Sequence, residues 1–106
     1  MLDTLVKAIH DREELSLVYC GFVRIVEPHA VGASLTGSNV LWCFQLHGES
    51  ASFGGAGHYH INLGYDWCLF ELAQMCNLHP TGKHFIGERL GYRRSNRHMK
   101  RIIAEL

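Results

Sequence analysis

The chain has 106 residues, and its ten Lys and Arg balance its ten Asp and Glu, so the formal net charge is zero with histidine neutral. That length is one domain's worth, and a hydrophobic content of 47% excludes an intrinsically disordered chain. The zero balance gives no global attraction to nucleic acid, and no apolar run reaches the roughly 20 residues of a membrane helix.

Residues 2–11 carry Leu2, Leu5, Val6 and Ile9 at helical spacing, which predicts a short helix that Asp3 or Thr4 can cap. Residues 14–26 read as a β-hairpin turning at Gly21, with β-branched residues from Phe22 to Val26. Pro28 cannot donate to a ladder, so it belongs at a strand end or bulge. Extended chain resumes over Ala30–Leu35, turns at Thr36-Gly37-Ser38-Asn39 and continues as a strand over Val40–Leu46. Gly48–Gly64 is glycine-rich and reads as a loop. Trp67–Leu72 is a further strand, and Met75–Leu78 either continues it or forms a short turn. Thr81–Gly91 reads as irregular. Ser95 can cap a closing helix over 96–106, with Met99, Ile102, Ile103 and Leu106 as its apolar stripe. The outline is one mainly β domain, 1–106, with a short helix at each end and a small antiparallel barrel or strongly bent sheet between them.

Four cysteines, Cys20, Cys43, Cys68 and Cys76, form no close pair and sit among apolar residues. Four reduced, buried thiols are expected. The start, Met1-Leu2-Asp3-Thr4, lacks a basic region followed by an apolar core, so a cytosolic protein is expected.

Several segments carry a resemblance. Tyr19-Cys20-Gly21 is followed by Arg24-Ile25-Val26-Glu27-Pro28-His29, then Gly32, Gly37 and Leu41-Trp42-Cys43-Phe44-Gln45. Leu69-Phe70-Glu71-Leu72 and Tyr92 come later. Together they resemble the WYL domain family from about Leu5 to Leu106. The resemblance implies an Sm-like, SH3-like β-barrel and a regulatory module that senses nucleotides or single-stranded nucleic acid. Such modules usually sit behind a helix-turn-helix in bacterial or phage transcription regulators. Here the domain fills the chain, so a partner regulator is expected, and because small barrels of this kind often self-associate through sheet edges, a homodimer is a further expectation. Two positions depart from the family. Asn39-Val40-Leu41 stands where the Trp-Tyr-Leu tripeptide belongs, and Glu71 replaces an arginine of the family's anion-binding surface.

Three constellations are candidate sites. Arg24, Glu27 and His29, with Gln45 in the matched strand, can form an anion site in which Arg24 binds phosphate bidentately. The competing reading is an Arg24–Glu27 ion pair that fixes the strand bend. A basic tail runs from Arg89 to Arg101, where Arg93, Arg94, Arg97, Lys100 and Arg101 interleave with Tyr92 and His98. On a helix, Arg93, Arg97, Lys100 and Arg101 share a face that can track phosphates while Tyr92 stacks a base, or that is simply solvated. His58 and His60 share a face if extended and, with His47, have metal-ligand spacing, although solvated loop histidines are the commoner case. Ser50 and Ser52 lie in no nucleophile elbow, and no phosphate-cradling glycine loop is present. The expected function is therefore ligand binding, with no catalytic residues and no cofactor. A small metal-dependent enzyme using the His-rich loop, or a structural protein–protein interaction module, are the alternatives.

Overall fold

The computed structural model describes residues 1–48 and 66–106. Helix α1, Leu2–Asp11, forms where the apolar stripe placed it and buries Leu5, Ala8 and Ile9. Its cap differs from expectation. Asp3 and Thr4 lie inside the helix, the N-cap is Met1, and no side chain caps it. Asp3 still favours the helix dipole from the first turn. The helix stops at Arg12, in left-handed conformation at φ 54°.

Strands β1, Glu13–Tyr19, and β2, Phe22–Ser34, form the hairpin. Cys20 and Gly21 both take positive φ (54° and 80°), as the tightest twisted hairpin turn requires. Pro28 sits at a bulge, since the pairing with β3, Asn39–Gly48, shifts register between Pro28 and Ala30. The β2–β3 turn falls at 35–38, one residue earlier than expected, with Gly37 at φ 95°. Strand β4, Asp66–Glu71, pairs with β3.

After β4, a single 3-10 turn, Leu72–Gln74, leads into β5, Met75–His84, which pairs with β1. Met75–Leu78 is thus the start of a new strand on the opposite edge of the sheet. Thr81–His84 belongs to that strand, and irregular chain begins only after it.

The closing segment is a strand as well, not the expected helix: β6, Met99–Glu105, pairs antiparallel with β2. The reason lies in β2. Its first half is paired by β1 only as far as Val26, and β6 takes the same edge from Ala30 to Ser34. A helix there would leave those backbone groups of β2 without ladder partners. Gly32 permits the approach, because a Cβ there would overlap the carbonyl oxygen of Arg101.

The strand order is β4-β3-β2-β1-β5, with β6 beside β2. Only the three residues Leu72–Gln74 join its two outer strands, so the sheet curls strongly. It is nevertheless open: no ladder joins β4 to β5 among the described residues, and the expected closed barrel is not formed. One face packs on α1 through Leu5, Ile9, Leu15, Leu17, Val26, Leu41, Cys43 and Phe70. The other holds a smaller cluster of Ala30, Val40 and Met99 with Trp42 and Ile102. No helix among the described residues is long and apolar enough to cross a membrane.

All four thiols are free, but they are not all buried as expected. Cys43 is buried and Cys68 half-buried. Cys20 is exposed because it forms the hairpin turn, and Cys76 because it lies on the thinly covered strand β5. The expected glycine-rich loop, with Ser50, Ser52, His58 and His60, and the side chain of His47 lie outside the described residues.

Candidate functional site

Alternation along β3 separates two environments. Leu41, Cys43 and Gln45 face α1 and are buried, while Trp42 and Phe44 point to the opposite face. There β4 adds Trp67, whose ring lies parallel to Trp42 at 5.3 Å and edge-on to Phe44 at 5.3 Å. Across this aromatic face runs the irregular segment 85–98.

The bulge at His29 anchors that segment. A bulge re-aims a side chain, and here the fully buried imidazole meets Trp67, Phe85 and Tyr92 at 4.8, 5.5 and 5.0 Å. Its Nδ1 lies 2.9 Å from the carbonyl oxygen of Glu27. A carbonyl only accepts, so Nδ1 carries the proton and Nε2 is free to accept the Arg89 backbone N–H at 3.0 Å. The Arg89 guanidinium grips the Glu27 carboxylate with Nε–Oε1 at 2.7 Å and Nη2–Oε2 at 3.1 Å. It also lies 4.8 Å over the Phe44 ring. Tyr92 donates its hydroxyl to the His29 carbonyl at 3.2 Å, and burial pushes that phenol up to about 12.

Burial lowers the His29 pKa, against the opposing pull of the Glu27 carbonyl and of the Glu27 and Glu88 carboxylates, while Arg89 adds to the lowering. The folded state thus favours neutral imidazole. Its contribution to stability is complete above the ordinary value of 6.5 and is lost as pH falls from there through the folded value. The urea midpoint is accordingly expected to drop on acidification below about pH 6.5, and His29→Gln to remove that part of the slope. An unchanged slope in the variant would exclude His29 as its source.

Arg24 belongs to the other face. It is 8% exposed, donates from Nη1 to Gln45 Oε1 at 3.0 Å and from Nη2 to the Tyr19 carbonyl at 3.4 Å. Its Nε is buried without a hydrogen-bond partner. The rings of Tyr19 and Phe70 lie 5.9 and 5.5 Å from its guanidinium carbon. No Arg24–Glu27 ion pair forms, because the two side chains leave opposite faces of β2 and Glu27 pairs with Arg89. The first candidate constellation is therefore split. Arg24 and Gln45 lie on the helix side, Glu27 and His29 on the aromatic side, and all four are buried.

The second constellation is brought together, in a different form from the expected helix face. A pocket of about 440 Å³ is lined by Arg93, Arg94 and Arg97 with Trp42, Asn96 and His98. The loop that carries them turns at Ser95, at φ 57°. Its shape is held by the Ser95 N–H on Glu105 Oε2 at 3.0 Å and by the His98 N–H on Asn96 Oδ1 at 2.7 Å. Arg94 lies 3.7 Å from Glu105. Arg93 and Arg97 have no acidic partner among the described residues. Lys100 and Arg101 sit apart on β6, and Tyr92 turns inward to His29 and Trp67.

Sequence reasoning counted Arg89 only as the head of the basic tail and missed its pairing with Glu27 and His29, and it missed the pocket role of Trp42 and His98. An aromatic alternating with core residues on a strand was the signal for Trp42; nothing in the spacing pointed to His98. Glu71 is exposed, and its carboxylate accepts from Gln74 at 3.1 Å. Among the described residues no group of three or more His, Cys, Asp or Glu could hold a metal ion. No family model, curated protein or solved structure matches this chain.

Proposed function

We propose that this chain is a WYL-like ligand-binding module that takes a nucleotide or a short single-stranded nucleic acid at the pocket between Trp42 and the Arg93–His98 loop. The observation that carries the reading is a cavity of about 440 Å³ whose lining includes three arginines, Arg93, Arg94 and Arg97, together with Trp42. Arginine forks match phosphate oxygens bidentately, and an aromatic offers a surface for a base. A cavity of this size suits a small ligand. The zero net charge gives no global attraction to an anion, so the reading relies on local charge at this pocket. The strand order supports an open version of the Sm-like, SH3-like arrangement implied by the family resemblance. In this reading the module acts beside a partner transcription regulator, by changing shape or contacts when the pocket fills.

Fluorescence anisotropy of a labelled oligonucleotide, titrated across salt concentrations, tests the reading. Binding should weaken as salt rises. In Arg93→Ala/Arg97→Ala the logarithmic salt slope should shrink by about 1.4, at roughly 0.7 per phosphate contact on a single strand. Absence of salt-sensitive binding at protein concentrations on the order of 10⁻⁴ M, where even non-specific association is seen, would refute it.

A further inference from the structure

We propose that Cys43 and Cys68 form a reversible disulfide, a redox-controlled staple between β3 and the edge strand β4. The two residues are directly opposite in the antiparallel ladder, so their side chains share a face. Opposed residues in such a ladder have Cα atoms about 4.5 or 5.5 Å apart, and both values fall within the roughly 4.4–6.8 Å that a disulfide spans. Both thiols are free. The Cys43 thiol lies 3.7 Å from the Cys68 carbonyl oxygen, and the Cys68 thiol 3.8 Å from Gln45 Oε1.

Their surroundings divide the labour. Cys68 is half-buried and can meet a small oxidant, while Cys43 is fully enclosed and can meet only Cys68. Burial pushes both thiols up, so the resting pair stays protonated. The Arg24 charge pulls both the other way and favours each thiolate once it forms. Arg24 is buried, and it has no carboxylate partner among the described residues. The same positive charge opposes a metal cation between the two sulfurs, which leaves the neutral disulfide as the favoured product.

With oxidised glutathione the reaction balances in two exchanges. The Cys68 thiolate attacks one glutathione sulfur, breaks its S–S bond and releases one glutathione thiolate, which takes up a proton. The Cys43 thiolate then attacks Cys68 Sγ in the mixed disulfide and releases the second glutathione. Two protein thiols are oxidised and one glutathione disulfide is reduced. The staple closes a loop over residues 44–67 and fixes the strand that carries Trp67 against Trp42 and His29.

The test uses Cys20→Ser/Cys76→Ser, which keeps only this pair, refolded from urea in glutathione buffers of graded oxidation. The expected result is loss of both titratable thiols, a mass lower by two hydrogens, a peptide joining 43 to 68, and a raised melting temperature, all reversed by dithiothreitol. Two results would overturn the proposal: folded protein that keeps both thiols in the oxidised buffer, or a lasting glutathione adduct on Cys68. Should the double variant not fold, peptide mapping of the unmodified chain under the same buffers decides between the same outcomes.

Discussion

Arg89→Ala should destabilise the fold by about 3 kcal/mol, the low end of the range for removing one partner of a buried ion pair. The cost is set by Glu27, whose side chain is 6% exposed and would keep its charge with no counter-ion. Arg89 itself is 36% exposed, which places the loss at the low end. The effect reaches beyond stability. Segment 85–98 is held to the sheet by the Arg89 fork, the Arg89 N–H on His29 and the Tyr92 hydroxyl on the His29 carbonyl. Loosening the first of these frees the loop that carries Arg93, Arg94 and Arg97, so oligonucleotide affinity should fall too. Glu27→Gln in the Arg89→Ala background removes the stranded charge and should recover part of the lost stability. Urea unfolding of the four members of this cycle measures the coupling. A difference under about 0.5 kcal/mol for Arg89→Ala, the level of an ordinary surface change, would contradict the account.

Gly32→Ala is expected to have an effect of similar size. In an unobstructed strand, alanine in place of glycine is neutral or stabilising, because glycine loses more backbone entropy on folding. Here the added methyl meets the backbone of Arg101 and the Cα of Ile102, neither of which can swing aside as a side chain could. Strand β6 must move, at a cost of at least the 1–3 kcal/mol or so typical of overpacking. Because β6 also carries Glu105, which holds the Ser95 N–H and faces Arg94, the pocket loop loses support at its other end. The sign of the stability change is therefore diagnostic. Denaturant unfolding together with amide protection over 99–105 checks it, and a stabilised variant would show that β6 does not pack at Gly32.

The parts of the fold that were legible in the sequence are those fixed by local rules. Helix α1 followed from its stripe, the first hairpin from Gly21 and its β-branched flanks, and the bulge from Pro28. The C-terminal strand was not legible, because Met99, Ile102, Ile103 and Leu106 fit a helical stripe and also a strand buried on both sides. Ile102 enters the aromatic-side cluster, whereas Ile103, Ala104 and Leu106 pack towards the α1-side core. What decides between the two is the unpaired edge of β2, some seventy residues earlier in the chain. The site was half legible for a similar reason. Arg93 and Arg97 were picked out on a helix face with Lys100 and Arg101, and Arg94 as a member of the same basic tail, since the strand that turns the three into a pocket wall depends on a long-range pairing. For Arg24, Glu27 and His29, spacing along β2 could not show that Arg89, 62 residues from Glu27, supplies the partner.

The parallel stacking of Trp42 on Trp67 has an optical consequence. These are the only two tryptophans in the chain, and their planes lie within 1° of each other. The whole indole emission, and the indole bands of the near-ultraviolet dichroism, therefore originate at one spot on the aromatic face. Such signals monitor the wall of the basic pocket and are blind to the packing of α1 on the opposite side. A fluorescence unfolding curve and a far-ultraviolet curve will coincide only if the two faces come apart together, so the native chain carries its own probe of whether the sheet unfolds as one unit.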